Sequence, residues 1–473
     1  MWENCLTKFF NQHQSLLAIF TFAACFALSL SLLCFQRIYT AGIFVGEKIG
    51  GMSYKVWAVS WYHLGHILGK VISNMLSSSL QKRQHFWIIV FISISELLLL
   101  LFGAIPAPGN FSMILLNGIP HGFIWQLIFN SSTSKRFPEY LEITFQCSLI
   151  LSSGIVKSIG RSLIQSGTDE YWAPSVICGV VSIIFLASIV ILESLPAFSS
   201  NSNGNFPELP SMTKNDRREF FQTLSPGLIC WIVVLSILIS LRNFRDSFAV
   251  DFYFEWNQSN AIYCLFLSEL ISAIIVAAAI ILINRFISNT FTRLIAYHIC
   301  GFVGFLLMLI CGFLCSKGSL NGLVFMIMSG IGCFLAYVPL RTFLHKSLVS
   351  VFQFSNSANF FVYYYTLFGS FVTFLVSFLK GLAAESKQFA KYFGDLSFYL
   401  GIIGLVLLIG AFVFLLLKHK KYTPIDDGLS KQLNQDENQK LDVKNEDDEE
   451  EGPVYVHPNS SSTNLNQQLI SEN

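Results

Sequence analysis

Charge is what this sequence has least of. Of its 473 residues only 12% are Asp, Glu, Lys or Arg, about half the share usual in soluble globular proteins. So little charge cannot cover a water-facing surface of this size, and a soluble fold is excluded. Although there are 11 cysteines, no Cys-x-x-Cys pair occurs. Cys311 and Cys315 share a helix face, but no histidine or carboxylate stands beside them at ligand spacing. That pattern argues against a metal or disulfide site and for thiols acting as small apolar residues. The loops carry no glycine-rich phosphate cradle and no nucleophile with a base. These lacks point away from an enzyme, call for no cofactor, and give no footing for a nucleic-acid partner. A cleavage site is lacking too: Lys8 precedes an apolar run from Leu16 to Phe35, but no small-residue motif follows it. The run is therefore expected to stay as a first helix rather than leave as a signal peptide.

What the chain has instead is hydrocarbon. Apolar residues make up 53% of it, with 46 phenylalanines, and a spanning helix needs about 20 mostly apolar residues. Twelve such stretches fall at 14–38, 54–77, 86–105, 110–133, 141–165, 172–193, 222–250, 259–287, 292–315, 320–345, 350–380 and 392–417. The expected fold is an all-α membrane protein of twelve transmembrane helices. With the N-terminus inside, fifteen flanking lysines and arginines, among them Lys82, Arg83, Arg217, Arg218, Arg341, Lys346 and Lys418, lie on the cytoplasmic side. Six, including Lys48, Lys55 and Lys380, lie outside. This asymmetry puts both termini in the cytoplasm.

The longest polar interruption before the tail separates spans six and seven. It divides the chain into an N-terminal six-helix bundle (1–193), a central cytoplasmic loop (194–221), a C-terminal six-helix bundle (222–417) and a tail (418–473). The tail holds 12 acidic and 6 basic residues, including the run Glu446 to Glu451, and is expected to be disordered. A weak internal repeat supports the division. MILLNGIPHGFIW (Met113–Trp125) aligns with FMIMSGIGCFLAY (Phe325–Tyr337) through Gly118 and Gly330, and Arg37 and Arg242 stand at a similar offset.

The polar residues inside the spans are candidates for function, because an arginine at mid-membrane costs roughly 2.5–3.5 kcal/mol on insertion scales and generally faces a cavity or a partner. In LRNFRDSF, Arg242, Arg245 and Asp246 lie on one helix face. They either snorkel to the outer interface from the end of a span or line a central cavity. Lys157 and Arg161 lie one turn apart in SSGIVKSIGRSLI, His63, His66 and Lys70 share a face of the second span, and Glu96 and Glu269 are lone carboxylates in oily helices. Counted together, Arg37, Lys157, Arg161, Arg242 and Arg245 outnumber Glu96, Asp246 and Glu269. A cavity among them would be positive and would suit a phosphate or carboxylate in arginine's planar fork.

Twelve spans in a six-plus-six order, with cytoplasmic termini and a long central loop, resemble the major facilitator superfamily. The end of the first span, LSLLCFQRIYTAGIF, is similar to the organophosphate:phosphate antiporters. There the resemblance implies that Arg37 and Arg242 hold a substrate phosphate. A closer resemblance, covering most of residues 36–380 and strongest in the motifs AIPAPGN, LNGIPHG, SSGIVKS and RNFRDSFA, is to an uncharacterised, domain-of-unknown-function family of bacterial membrane proteins. The loop between spans two and three departs from the superfamily pattern: it keeps Gly69, Lys82 and Arg83 but has no Asp. The fifth span lacks the antiporters' histidine.

The expected function is secondary transport of a small anionic solute by alternating access in the bacterial inner membrane. Arg37, Arg242, Lys157 and Arg245 are the expected substrate ligands. Glu96, Asp246, Glu269, Arg161 and His63 are the expected ion-pair or coupling groups, with a proton or phosphate as the coupling species. The alternative is a transport-inactive receptor or assembly platform whose tail binds a cytoplasmic protein.

Overall fold

The computed structural model describes residues 44, 47–81, 83–133, 138–194, 213–256, 261–354, 358–382 and 389–446. The first apolar stretch and Arg37 lie outside the described residues. A two-residue antiparallel ladder, β1 (Lys48–Ile49) against β2 (Met52–Ser53), closes through Gly50 and Gly51, both at positive φ, where a side chain would be strained. Eleven helices follow: α1 (Tyr54–Gln81), α2 (Gln84–Ala104), α3 (Phe111–Thr133), α4 (Pro138–Gln165), α5 (Ala173–Ser194), α6 (Lys214–Glu255), α7 (Ala261–Phe286), α8 (Thr290–Ser316), α9 (Gly322–Val351), α10 (Asn359–Leu382) and α11 (Phe389–Glu446). They coincide with the second to twelfth apolar stretches, as hydrocarbon demands, since only a helix satisfies its own backbone there.

Eight of the described helices, α2, α4 and α6 to α11, are long and apolar enough to cross a membrane. α5 has a shorter apolar stretch, Ala173–Ile189. α1 and α3 fall below the same mark because they carry His63, His66, Lys70, Asn117 and His121, four of them buried. These two helices spend much of their surface on each other. A Cβ on Gly65 would stand 1.9 Å from the Leu115 carbonyl oxygen, and one on Gly118 would stand 2.4 Å from that of Tyr62. The Gly-x-x-x-Gly pairs Gly65/Gly69 and Gly118/Gly122 therefore let two backbones touch. Gly304 meets the Gly332 carbonyl in the same way where α8 crosses α9.

Two differences from the sequence reading concern boundaries. α6 begins at Lys214, inside the segment expected as a loop, because Thr213 and Asp216 form a capping box that starts the helix before its apolar run. α11 continues to Glu446, past the end of the apolar run at Leu417, while residues 447–473 lie outside the described residues. Residues 1–416 form one compact unit and 417–473 a second. Within the first, α4 packs on α7 and α1 on α10, joining early helices to late ones, and α10 also packs on α6.

Candidate functional site

The charged stretch of α6 does not lie at the end of a span. The helix runs on to Glu255, and from Leu241 to Val250 every residue but Arg242 is buried. Arg245 and Asp246 must therefore find partners inside the protein, and both do. Arg245 Nη1 donates to Glu269 Oε1 of α7 at 2.8 Å, Nη2 to the Met326 carbonyl of α9 at 2.8 Å, and Nε to Ser329 Oγ at 3.4 Å. Lys157 of α4 reaches the same Glu269 oxygen at 3.2 Å and Asp246 Oδ1 at 3.6 Å, while Arg245 lies 3.5 Å from that Asp246 oxygen.

The result is a sealed set of two cations and two anions. Sealing them is costly unless charges balance and hydrogen bonds are made; here the charges balance two against two, while Glu269 Oε2 is buried without a hydrogen bond among the described residues. The bond from Nη2 reaches Met326 across Gly330, whose missing Cβ would sit 2.7 Å from Nη2 and 2.5 Å from Ser272 Oγ. Lys157 and Arg245, expected as substrate ligands, are thus each paired with carboxylates. The lone look of Glu269 in its own helix concealed two partners, one 112 residues earlier and one 24 residues earlier.

Next to this set lies a different one. Arg242, half-buried, donates through Nη1 to the Tyr337 hydroxyl at 3.3 Å and through Nη2 to Asn243 Oδ1 at 3.2 Å. Arg341, one turn after Tyr337 in α9, donates to the same hydroxyl at 2.6 Å and to Gln146 Oε1 of α4 at 3.2 Å. Both guanidiniums also sit over the Tyr337 ring, at 5.1 and 5.4 Å from its centroid, a favourable cation–π distance. Among the described residues, neither arginine has a carboxylate within ion-pair distance. Both act electrostatically on Lys70 of α1, whose ammonium donates to the Thr366 carbonyl at 3.1 Å and to Ser370 Oγ at 2.9 Å on α10. Arg242, Tyr337, Gln146 and Asp246 border a cavity of about 10 Å³, the room of about one water.

Family membership follows from the sequence. Residues 38–418 match the family of unknown function DUF5690. The chain belongs to that family. No curated protein matches the chain. Among solved structures, a mutant of the nucleoside transporter NupG superposes on this DUF5690 member with a TM-score of 0.55 at 13% identity, over 83% of this chain and 98% of that one. A D-xylose-proton symporter does so with a TM-score of 0.57 at 15% identity, over 85% and 97%. Identities this low establish the fold alone: this DUF5690 chain is a multi-pass membrane protein with the major facilitator fold.

The remaining expected residues are dispersed in this DUF5690 chain. His63, buried, lies edge-on to the ring of its chain neighbour Tyr62 at 5.5 Å, and it is the Tyr62 hydroxyl that reaches α3, bonding to His121 Nδ1 at 3.1 Å. Glu96 stands between α2 and α5, its Oε1 3.7 Å from where a Cβ on Gly179 would be. Arg161 lies near the end of α4, over the Phe254 ring at 4.8 Å. Arg341 and Lys70 were not among the expected ligands. The spacing of Tyr337 and Arg341 on one face held the signal, but Arg341 had been assigned to the cytoplasmic flank of its span.

Proposed function

We propose that the chain is a secondary transporter of a small anionic solute, phosphate- or carboxylate-bearing, working by alternating access in a bacterial inner membrane. The observation that carries this reading is the Arg242–Tyr337–Arg341 sandwich: two guanidiniums on one hydroxyl, without a carboxylate partner among the described residues, beside Lys70. A bidentate acid or phosphate would supply the missing counter-charge. Lys70 and Gln146 come from the proposed N-terminal bundle, Arg242 and Arg341 from the C-terminal one. A bound anion would therefore touch both halves and relieve the repulsion among three cations, which favours the state in which the halves meet. Arg37, outside the described residues, is proposed as a further ligand from the first span.

In this reading Lys157, Arg245, Asp246 and Glu269 form the joint between the halves and the place where a proton could be exchanged, rather than the solute site. The one-water cavity corresponds to a closed form. The fold of the two transporter structures supports the class, and the cation set supports the sign of the solute.

Melting temperature measured against a panel of phosphate-bearing and carboxylate metabolites tests the assignment, since a ligand that binds only the folded state raises it. At least one anion is expected to raise it in the parental protein. Arg242→Gln and Arg341→Gln should abolish the rise and cut uptake by about 10- to 100-fold, the worth of a hydrogen bond to a charged group. Uptake at the parental rate in both variants would remove the anion site from these residues.

A further inference from the structure

Where α4 and α6 end and α7 begins, the surface opens into a groove of about 600 Å³, large enough for part of an amphiphile. Arg161, half-buried, is the only charged residue among the described residues that line it. Its guanidinium is held over the Phe254 ring at 4.8 Å. It makes no ion pair among the described residues.

The depth of each lining group follows from its place in its helix. Arg161 stands four residues, about 6 Å at 1.5 Å per residue, before the end of α4 at Gln165. Phe254 is the penultimate residue of α6, and Ala261 is the first of α7. Polar Gln165 and cationic Arg161 therefore sit at headgroup level. Further in, Ile159 stands about half a turn and Ile155 about one and two-thirds turns from Arg161 on α4, with Phe266 on α7; Ser158 between them spends its hydroxyl on the Ile262 carbonyl, so these walls are largely apolar. Ile159 is 43% exposed and Tyr263 on the rim 61%, so the groove faces sideways, toward lipid.

We infer that this groove binds one anionic membrane phospholipid, with the phosphate on Arg161 and the upper part of an acyl chain along Ile155, Ile159 and Phe266. A free anion would leave the apolar walls uncovered, and a zwitterionic lipid would bring its own ammonium to the cation. The site is independent of the solute assignment. It also bridges helices from early and late in the chain, one turn beyond the Lys157–Glu269 pair, so an occupied groove clasps α4 to α7.

Native mass spectrometry of the full chain, taken from phosphatidylcholine vesicles with and without phosphatidylglycerol, tests this. The parental protein should retain one phosphatidylglycerol in preference to phosphatidylcholine. Arg161→Gln should lower that retention by about tenfold, Arg161→Lys should keep most of it, and Ile159→Trp, which fills the groove and leaves the guanidinium, should lower it as well. No preference in the parental protein overturns the site without recourse to any variant. Loss in Arg161→Gln with full retention in Ile159→Trp reduces it to a surface charge. Inorganic phosphate that displaces the lipid and binds as tightly would reassign the groove to a soluble anion.

Discussion

Glu269→Gln removes one charge from the four buried between α4, α6 and α7. Its Oε1 accepts from Arg245 at 2.8 Å and from Lys157 at 3.2 Å. The variant leaves both cations with the single carboxylate of Asp246, no nearer than 3.5 Å to either. Breaking a buried pair from one side costs about 3–5 kcal/mol, a large part of the roughly 5–15 kcal/mol by which folded domains outlast their unfolded chains. Adding Lys157→Met restores one cation to one anion, and apolar replacement of a buried pair is often neutral or better. Lys157→Met/Glu269→Gln should therefore recover at least about 2 kcal/mol of the loss, so that the double variant loses less than the sum of the two single variants in the double-mutant cycle. Unfolding midpoints in detergent, followed by tryptophan fluorescence for parental, single and double variants under one condition, give the ranking. A double variant no more stable than Glu269→Gln alone would show that the four charges do not act as a unit.

Other perturbations reach the fold and the proposed cycle separately. Gly118→Val should force α1 from α3, since its Cβ would stand 2.4 Å from the Tyr62 carbonyl oxygen. The expected loss is about 1–3 kcal/mol or more, while Gly410→Ala, with nothing within 4 Å of the added carbon, should melt like the parent. Tyr337→Phe keeps the ring under both guanidiniums but removes the oxygen they share, so anion affinity should fall by about tenfold with the melting midpoint nearly unchanged. Two ion pairs join early and late helices near opposite ends of the spans: Lys55 with Asp251, and Lys346 with Glu142 at 2.5 Å. Lys55→Ala should widen the α1–α6 distance between paired spin labels, and Lys346→Ala the α4–α9 distance. Widening of the same end by both variants would refute independent closures.

The positions of α1 to α11 were legible because a membrane leaves little choice: long apolar runs become helices, and polar breaks become turns. The start of α6 was legible as well, in the pair Thr213 and Asp216, but an expectation of a loop in a polar segment hid it. Partners were not legible. Helical periodicity says that Lys157 and Arg161 share a face, yet it cannot say that Lys157 meets a carboxylate 112 residues away while Arg161 meets a phenyl ring. Arg341 was passed over as a ligand for a related reason. The excess of basic residues at cytoplasmic ends draws every arginine near a boundary into the flank, and only the neighbours of Tyr337 show that this one points inward. For Arg37, which lies outside the described residues, the reading rests on its place in an apolar run, its offset from Arg242 and the resemblance.

Gly154 brings α4 close enough to α7 that an added Cβ would stand 3.0 Å from the side chain of Glu269, the residue that also anchors Lys157 and Arg245. Backbone proximity and opposite charge coincide at that spot, so it resists both sliding and parting. Any rocking of one proposed bundle against the other would roll about this line as a fulcrum. The wide excursions would then fall to the outlying contacts at Lys55 and Lys346, a lever whose pivot lies between α4 and α7 rather than at either rim.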